Sequence, residues 1–246
     1  MGLRSIFYVK RLFKQGNVCV TGLRGKGKDL LFGNVINRRK EPYISNLNYG
    51  GDYIEFNYAD LELGGNTYDS MLHSPYYYEF PHPSGSDVYI SDVGVYFPAQ
   101  YCNELNKKYQ SIPYYLALCR QVSHNNVHIN VQNLNRAWDK IREQSDIYIR
   151  CVRCFYIPYI NLVLQQIVVY DKYDSCVNRV KPCRIQMPLI PSTEKALQAQ
   201  IYIDNFENQH GSVRSHWLIY FNKSQHDTYH FEKLLKNGEK KDENKK

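Results

Sequence analysis

The sequence predicts an α/β fold: a mainly parallel central sheet flanked by helices, with a β-rich C-terminal extension. Three observations predict it. The octapeptide Gly22 to Asp29 (GLRGKGKD) lies between an apolar, β-prone run, Val18 to Thr21, and a segment that can form a helix, Asp29 to Ile36. A second β-prone run, Val88 to Asp92 (VYISD), ends in an acid. A third, Val127 to Val131 (VHINV), alternates as a strand does, and Gln132 follows its end. Strand, polar residue, helix is the order that delivers side chains to the carboxyl edge of a parallel sheet, where α/β ligands bind.

The octapeptide matches the phosphate-loop pattern G-x-x-x-x-G-K-[ST] at Gly22, Gly27 and Lys28, and departs from it at Asp29. Glycines let the backbone wrap a phosphate, the amides point at its oxygens, and a helix N-terminus favours negative charge there. The candidate binding residues are therefore Gly22, Leu23, Arg24, Gly25, Lys26, Gly27, Lys28 and Asp29. Lys28 reaches the β and γ phosphates. Asp29 replaces the hydroxyl that normally sits on Mg²⁺. It brings a charge that disfavours phosphate, or else a carboxylate that can itself ligate Mg²⁺. The bland alternative is a Gly/Lys-rich connection with no nucleotide.

Further elements follow in order. Gly2 to Lys14 mixes apolar and basic residues; it packs on its own domain or lies on an acidic membrane surface. Glu41 to Asn48 and Tyr53 to Phe56 read as strands, then comes a Gly-rich excursion, 57–74, a β-prone piece at Tyr76 to Phe80, and a loop, Pro81 to Ser86. Asp92 is a candidate Mg²⁺ carboxylate, or a strand-end turn. Val93 stands where many ATPases carry a Glu, and Glu79 and Asp87 are the nearest upstream acids. Ser111 to Gln121 reads as a helix with Ser111 as its cap, and Asn133 to Gln144 as another. Ile147 to Ile157, Leu162 to Tyr170 and Trp217 to Phe221 are β-prone, with one helix near 192–200. The organisation is a basic leader, 1–16, a core, 17–155, a β-rich region, 156–238, and a charged, disordered tail, 239–246.

Composition sets limits. The chain has 246 residues and a net charge of +7. Residues 1–40 hold ten lysines and arginines against one acid, Asp29, so the basic character surrounds the loop. That suits a polyanion: nucleotide, nucleic acid or anionic lipid. The 7 cysteines lack regular spacing and no apolar run nears ~20 residues, which points to reduced thiols and no membrane span. Cys151 and Cys154 lie inside a strand pattern, so zinc is disfavoured. The 23 tyrosines are spread along the whole chain.

The ordered set is the loop, Asp92, Tyr96-Phe97-Pro98, Leu118-Cys119-Arg120, Val131-Gln132 and Ile141-Arg142. That series resembles the Zot (zonula occludens toxin-like) family of phage proteins, P-loop ATPases related to the HerA/FtsK packaging and translocation motors. The resemblance spans about residues 17–155. It implies ATP and Mg²⁺ as cofactors, Asp92 as the Walker B aspartate, and Gln132 as the γ-phosphate sensor. It further implies Arg120 or Arg142 as an arginine finger for a neighbouring subunit in a homo-oligomer. The implied work is handling of viral DNA, single-stranded, with phage assembly partners, in the host cytoplasm or at the inner face of its membrane. Asp29, Val93 and Val131 depart from the family pattern at positions that govern turnover. Two other readings stay open: a degenerate scaffold that keeps the fold without useful turnover, and a single-strand DNA-binding protein using its tyrosines as stacking platforms.

Overall fold

The computed structural model describes residues 2–39, 41–55, 86–108, 126–183 and 193–223. The expectations for 57–74, Tyr76 to Phe80, the helix Ser111 to Gln121, Glu79, Arg120 and the charged tail lie outside the described residues.

One nine-stranded sheet runs through the protein in the order β1-β9-β8-β7-β2-β6-β5-β3-β4. The strands are β1 (Gly2–Ser5), β2 (Val18–Thr21), β3 (Tyr43–Ser45), β4 (Tyr53–Glu55), β5 (Val88–Ile90), β6 (Val127–Val131), β7 (Ile147–Ile157), β8 (Leu162–Tyr170) and β9 (Val213–Phe221). From β7 through β4 every pairing is parallel. β8 runs antiparallel to both β7 and β9, and β1 pairs parallel with β9. The fold class is thus mixed α/β with a mostly parallel central sheet. The β-rich extension is a continuation of that sheet: β7 runs across residue 155, and β8 and β9 extend the same layer.

Helices cover the two faces. α1 (Ile6–Gln15) buries Ile6, Val9 and Phe13, and α2 (Lys28–Ile36) buries Leu31, Phe32, Val35 and Ile36. These meet Val18 and Val20 of β2, Ile149 and Cys151 of β7, and Leu218 and Tyr220 of β9 in one apolar cluster. Burying each large side chain contributes roughly 1.5–3 kcal/mol, so the leader belongs to the core layer. On the other face Cys19, Ile90, Ile129 and Tyr148 pack with Val93, Trp138 and Cys176. β2 and β6 lie in the middle of the sheet and are buried at every residue, as central parallel strands are. α3 (Thr193–His210) closes the chain's second half before β9.

Two expected elements differ. The single helix expected over Asn133 to Gln144 is split into a 3₁₀ turn, Leu134–Arg136, and one helical turn, Asp139–Arg142. Between them Ala137 bridges Pro98 and the Trp138 amide donates to the Phe97 carbonyl at 2.8 Å. Trp138 is fully buried, so core packing overrides local helix propensity here. The helix expected to end near residue 200 continues to His210. Tyr43, Tyr49, Tyr89, Tyr148, Tyr170 and Tyr220 are buried in the core, which removes them as stacking platforms.

Candidate phosphate-loop site

β2 emerges at the carboxyl edge of the sheet and hands the chain to Gly22–Gly27, which leads directly into α2. The loop lies flat on β7. A Cβ at Gly22 would stand 2.7 Å from the Cys151 carbonyl oxygen, and one at Gly27 would stand 2.7 Å from Cys154 Sγ. Gly27 caps α2 with φ 78°, a left-handed conformation that glycine adopts without steric cost. Leu23, Arg24 and Gly25 are exposed, while Lys26, Gly27 and Asp29 are half-buried.

Lys28 opens α2 and is 5% exposed. Its ammonium has no hydrogen-bond or ion-pair partner among the described residues. Burial pushes the Cys151 thiol pKa up, and the Lys28 charge draws it down. Asp29, beside it, accepts a hydrogen bond from Asn130 Nδ2 at 2.8 Å. Asn130 sits on β6, fully buried, and its Oδ1 accepts from the Asp92 amide at 2.9 Å. One carboxamide therefore ties the helix N-terminus to the Asp92 turn. Asp29 and Asp92 also flank the same hydroxyl. Burial raises the Tyr49 pKa well above its ordinary value, and both carboxylates push it the same way.

Asp92 follows β5 and adopts φ 52°, ψ 43°. Left-handed backbone in a residue other than glycine costs roughly 1–2 kcal/mol, and such positions cluster at functional sites. Gln132 is the first residue past β6, the strand that lies between β5 and β2. The sequence-predicted loop, Asp92 and Gln132 thus occupy the carboxyl ends of three adjacent strands. Asp92, Gln132 and Arg136 line one cavity of about 100 Å³. Gln132 also borders a larger cavity of about 180 Å³ with Gly22, Lys26, Arg150 and Arg179.

Other expectations part from this cluster. Arg142 spends its guanidinium inside its own chain: Nη1 donates to the carbonyls of Leu134 at 3.1 Å and Ala137 at 3.2 Å, and the group lies 5.1 Å over the Tyr173 ring. That is a cap on the split helix, and the geometry gives no support to a finger role. Arg136, which sequence reasoning passed over, is the exposed cation beside Asp92 and Gln132. Asp87 lies before β5, at the opposite edge of the sheet, where it pairs with Arg39 and with His128 Nε2. It is no candidate base. Val93 is fully buried and packs in the core with Phe97 and Val131.

Asp29 and Asp92 suit Mg²⁺, which takes one or two carboxylates together with substrate phosphates and water. The donor chemistry fits, since both are hard carboxylate oxygens; Asn130 holds the Asp29 carboxylate and the Asp92 backbone amide. Asn130 was hidden from sequence reasoning. Its one local signal is a carboxamide in a strand that is buried at every residue.

Strand, glycine loop and helix N-terminus at the edge of a mostly parallel sheet, with an acid-bearing strand one removed, form the layout of a phosphate-binding loop in an α/β fold. The chain is similar to the N-terminal domain of zonular occludens toxin from Neisseria meningitidis, at 12% identity and TM-score 0.40, over 67% of this chain and 90% of that one. It is also similar to the genome packaging NTPase B204 from Sulfolobus turreted icosahedral virus 2 in complex with ATP-gammaS, at 17% identity and TM-score 0.40, over 68% and 95%. The same NTPase in complex with AMP gives 14% identity and TM-score 0.39, over 71% and 98%. No family model matches the chain, and no curated protein matches it. No helix among the described residues is long and apolar enough to cross a membrane.

Proposed function

We propose that this protein binds ATP through Gly22–Asp29 and uses it in the handling of viral DNA, as a packaging or morphogenesis ATPase. One observation carries the binding reading: Lys28 is 5% exposed at the first turn of α2, directly after the glycine loop, and makes no hydrogen bond or ion pair among the described residues. A phosphate at the helix N-terminus would meet both that ammonium and the loop amides. The order of motifs supports the viral role, with a homo-oligomer and single-stranded DNA as its partners.

In this reading Lys28 and the amides of the loop hold the β and γ phosphates. Asp29 and Asp92 hold Mg²⁺, which when bound neutralises charge on the phosphates. Gln132, exposed beside Asp92, orients water or contacts the γ-phosphate. Asn130 keeps Asp29 turned toward Asp92 and offsets its charge. Val93 supplies no base, and positioned bases contribute roughly 10²–10⁴-fold, so hydrolysis is slow. The buried Val93 equally favours a second reading, a scaffold that binds nucleotide without useful turnover.

Calorimetric titration of ATP, with Mg²⁺ and with EDTA, tests this on the wild type, Lys28→Met and Asp29→Ser. The wild type binds more tightly with Mg²⁺, Lys28→Met does not bind, and Asp29→Ser binds metal-free ATP more tightly and flattens the metal dependence. Equal wild-type binding in both conditions removes the metal role. No wild-type binding at all leaves the scaffold reading, without nucleotide.

A further inference from the structure

Gln165 lies on β8, outside every motif of the loop, yet it is fully buried directly beneath it. Its Nε2 donates to the carbonyls of Lys26 at 3.1 Å and Gly27 at 3.0 Å. Its Oε1 accepts from the Tyr220 hydroxyl of β9 at 2.7 Å. Only one arrangement of these protons works. Two carbonyl oxygens accept and never donate, so the NH₂ must face the loop. The Oε1 is then left for Tyr220, whose hydroxyl must donate. Burial keeps that hydroxyl protonated.

The consequence for the loop follows from peptide geometry. In a trans peptide the C=O and the N–H of one plane point in opposite directions. The Lys26 carbonyl shares its plane with the Gly27 amide, and the Gly27 carbonyl shares its plane with the Lys28 amide. The Gly27 carbonyl also accepts the first bond of α2, from the Leu31 amide at 2.9 Å, so the helix and Gln165 together set the Lys28 amide, while Gln165 is what holds the Lys26 carbonyl and with it the Gly27 amide. Both amides are thereby turned away from Gln165, to the side where a phosphate would sit. Cys154, whose Sγ leaves no room for a Cβ on Gly27, presses the loop onto the sheet.

We propose that Gln165, locked by Tyr220, is the positioning residue of the phosphate loop: by holding the Lys26 and Gly27 carbonyls it aims the Gly27 amide and, with the helix, the Lys28 amide at the phosphate. This rests on the nucleotide reading above. It places a determinant of phosphate affinity in the C-terminal strands, some 140 residues from the loop.

The test uses the full chain, ATP with Mg²⁺ as probe, and calorimetry at pH 6 and pH 8. Gln165→Met keeps the volume and removes both bonds; affinity falls about tenfold, the same at either pH. Gln165→Glu sets a carboxylate against two carbonyl oxygens at pH 8 and binds worse still. At pH 6 its protonated form donates to one carbonyl, and affinity recovers in part. Tyr220→Phe lets the amide turn over and costs about threefold. Without nucleotide, hydrogen exchange at the Lys26 and Leu31 amides, which donate to the Leu23 and Gly27 carbonyls, speeds up in Gln165→Met while exchange in β2 and β6 is unchanged. A merely structural glutamine would give neither the pH-dependent recovery nor faster exchange confined to the loop and the first turn of α2. If Gln165→Met binds ATP like the wild type while Lys28→Met fails, the positioning role is wrong and the nucleotide site stands. If wild type and Lys28→Met are alike in not binding, both fall. Should Gln165→Met not fold, wild-type affinity in Tyr220→Phe and a flat pH response in Gln165→Glu overturn the proposal.

Discussion

Adding one methyl group at Gly27 separates two reasons for a glycine there. The first is conformational: at φ 78° an alanine pays the left-handed penalty, roughly 1–2 kcal/mol. The second is steric: the new Cβ would stand 2.7 Å from Cys154 Sγ and 2.9 Å from Gln165 Nε2, both anchored groups. Overpacking of that kind costs roughly 1–3 kcal/mol, so Gly27→Ala should lose about 3 kcal/mol in all. Gly25 is the internal control. It has φ 76° and nothing within 4 Å of its would-be Cβ, so Gly25→Ala should lose only the conformational part, about 1 kcal/mol. Cys154→Ala removes the nearest obstacle, and combined with Gly27→Ala it should recover roughly 1 kcal/mol as a coupling in a double-mutant cycle. Urea unfolding of the nucleotide-free chain reads the four variants against the wild type. Equal losses for Gly25→Ala and Gly27→Ala, or a coupling near zero, would refute close packing of the loop on β7.

Three further outcomes follow from the same site. Asp92→Gly relieves the left-handed backbone and should raise stability by about 1 kcal/mol while weakening ATP binding in Mg²⁺; melting and calorimetry check it, and a drop in stability counts against it. Val93→Glu buries a carboxylate in the core and should cost about 3–5 kcal/mol without gaining ATPase activity; a stable variant with faster phosphate release would contradict the placement of that residue. Asp87 titrates below its ordinary range, because burial, which raises its pKa, is outweighed by the hydrogen bond and charge of His128 and the charge of Arg39. A depressed folded pKa gives stability that is present above the unfolded value, about 3.9, and is lost as pH falls through the folded one. Acid unfolding of Asp87→Asn should therefore be shallower than wild type below about pH 4, and identical slopes would remove Asp87 as its cause.

Elements whose information is local were legible. The loop, the strand ends at Asp92 and Gln132, and the β-prone runs of the extension follow from residue type and period. Trp138 shows the limit: its neighbours favour one continuous helix, but a buried indole and the contact with Phe97 break it. The Lys28–Asp29–Asn130–Asp92 arrangement shows another. Asn130 is 101 residues from Asp29, and nothing in an alternating strand says which carboxylate its amide meets. Gln165 was equally silent, because its partners are backbone carbonyls, which carry no sequence signature. Arg142 shows a third limit: the Leu134 and Ala137 carbonyls that its guanidinium meets are invisible without the fold.

The pairing of β1 with β9 joins two strands that lie far apart along the chain. Gly2 registers with His216, so β1 waits for β9, across about 200 residues of loop closure, and long-range pairings of this kind fold slowly. Tyr220 belongs to that same strand, β9. The glycine loop therefore gains its complete support only once β9 is in place and the Tyr220 hydroxyl reaches Gln165. Order in the loop is coupled in this way to closure of the far edge of the sheet.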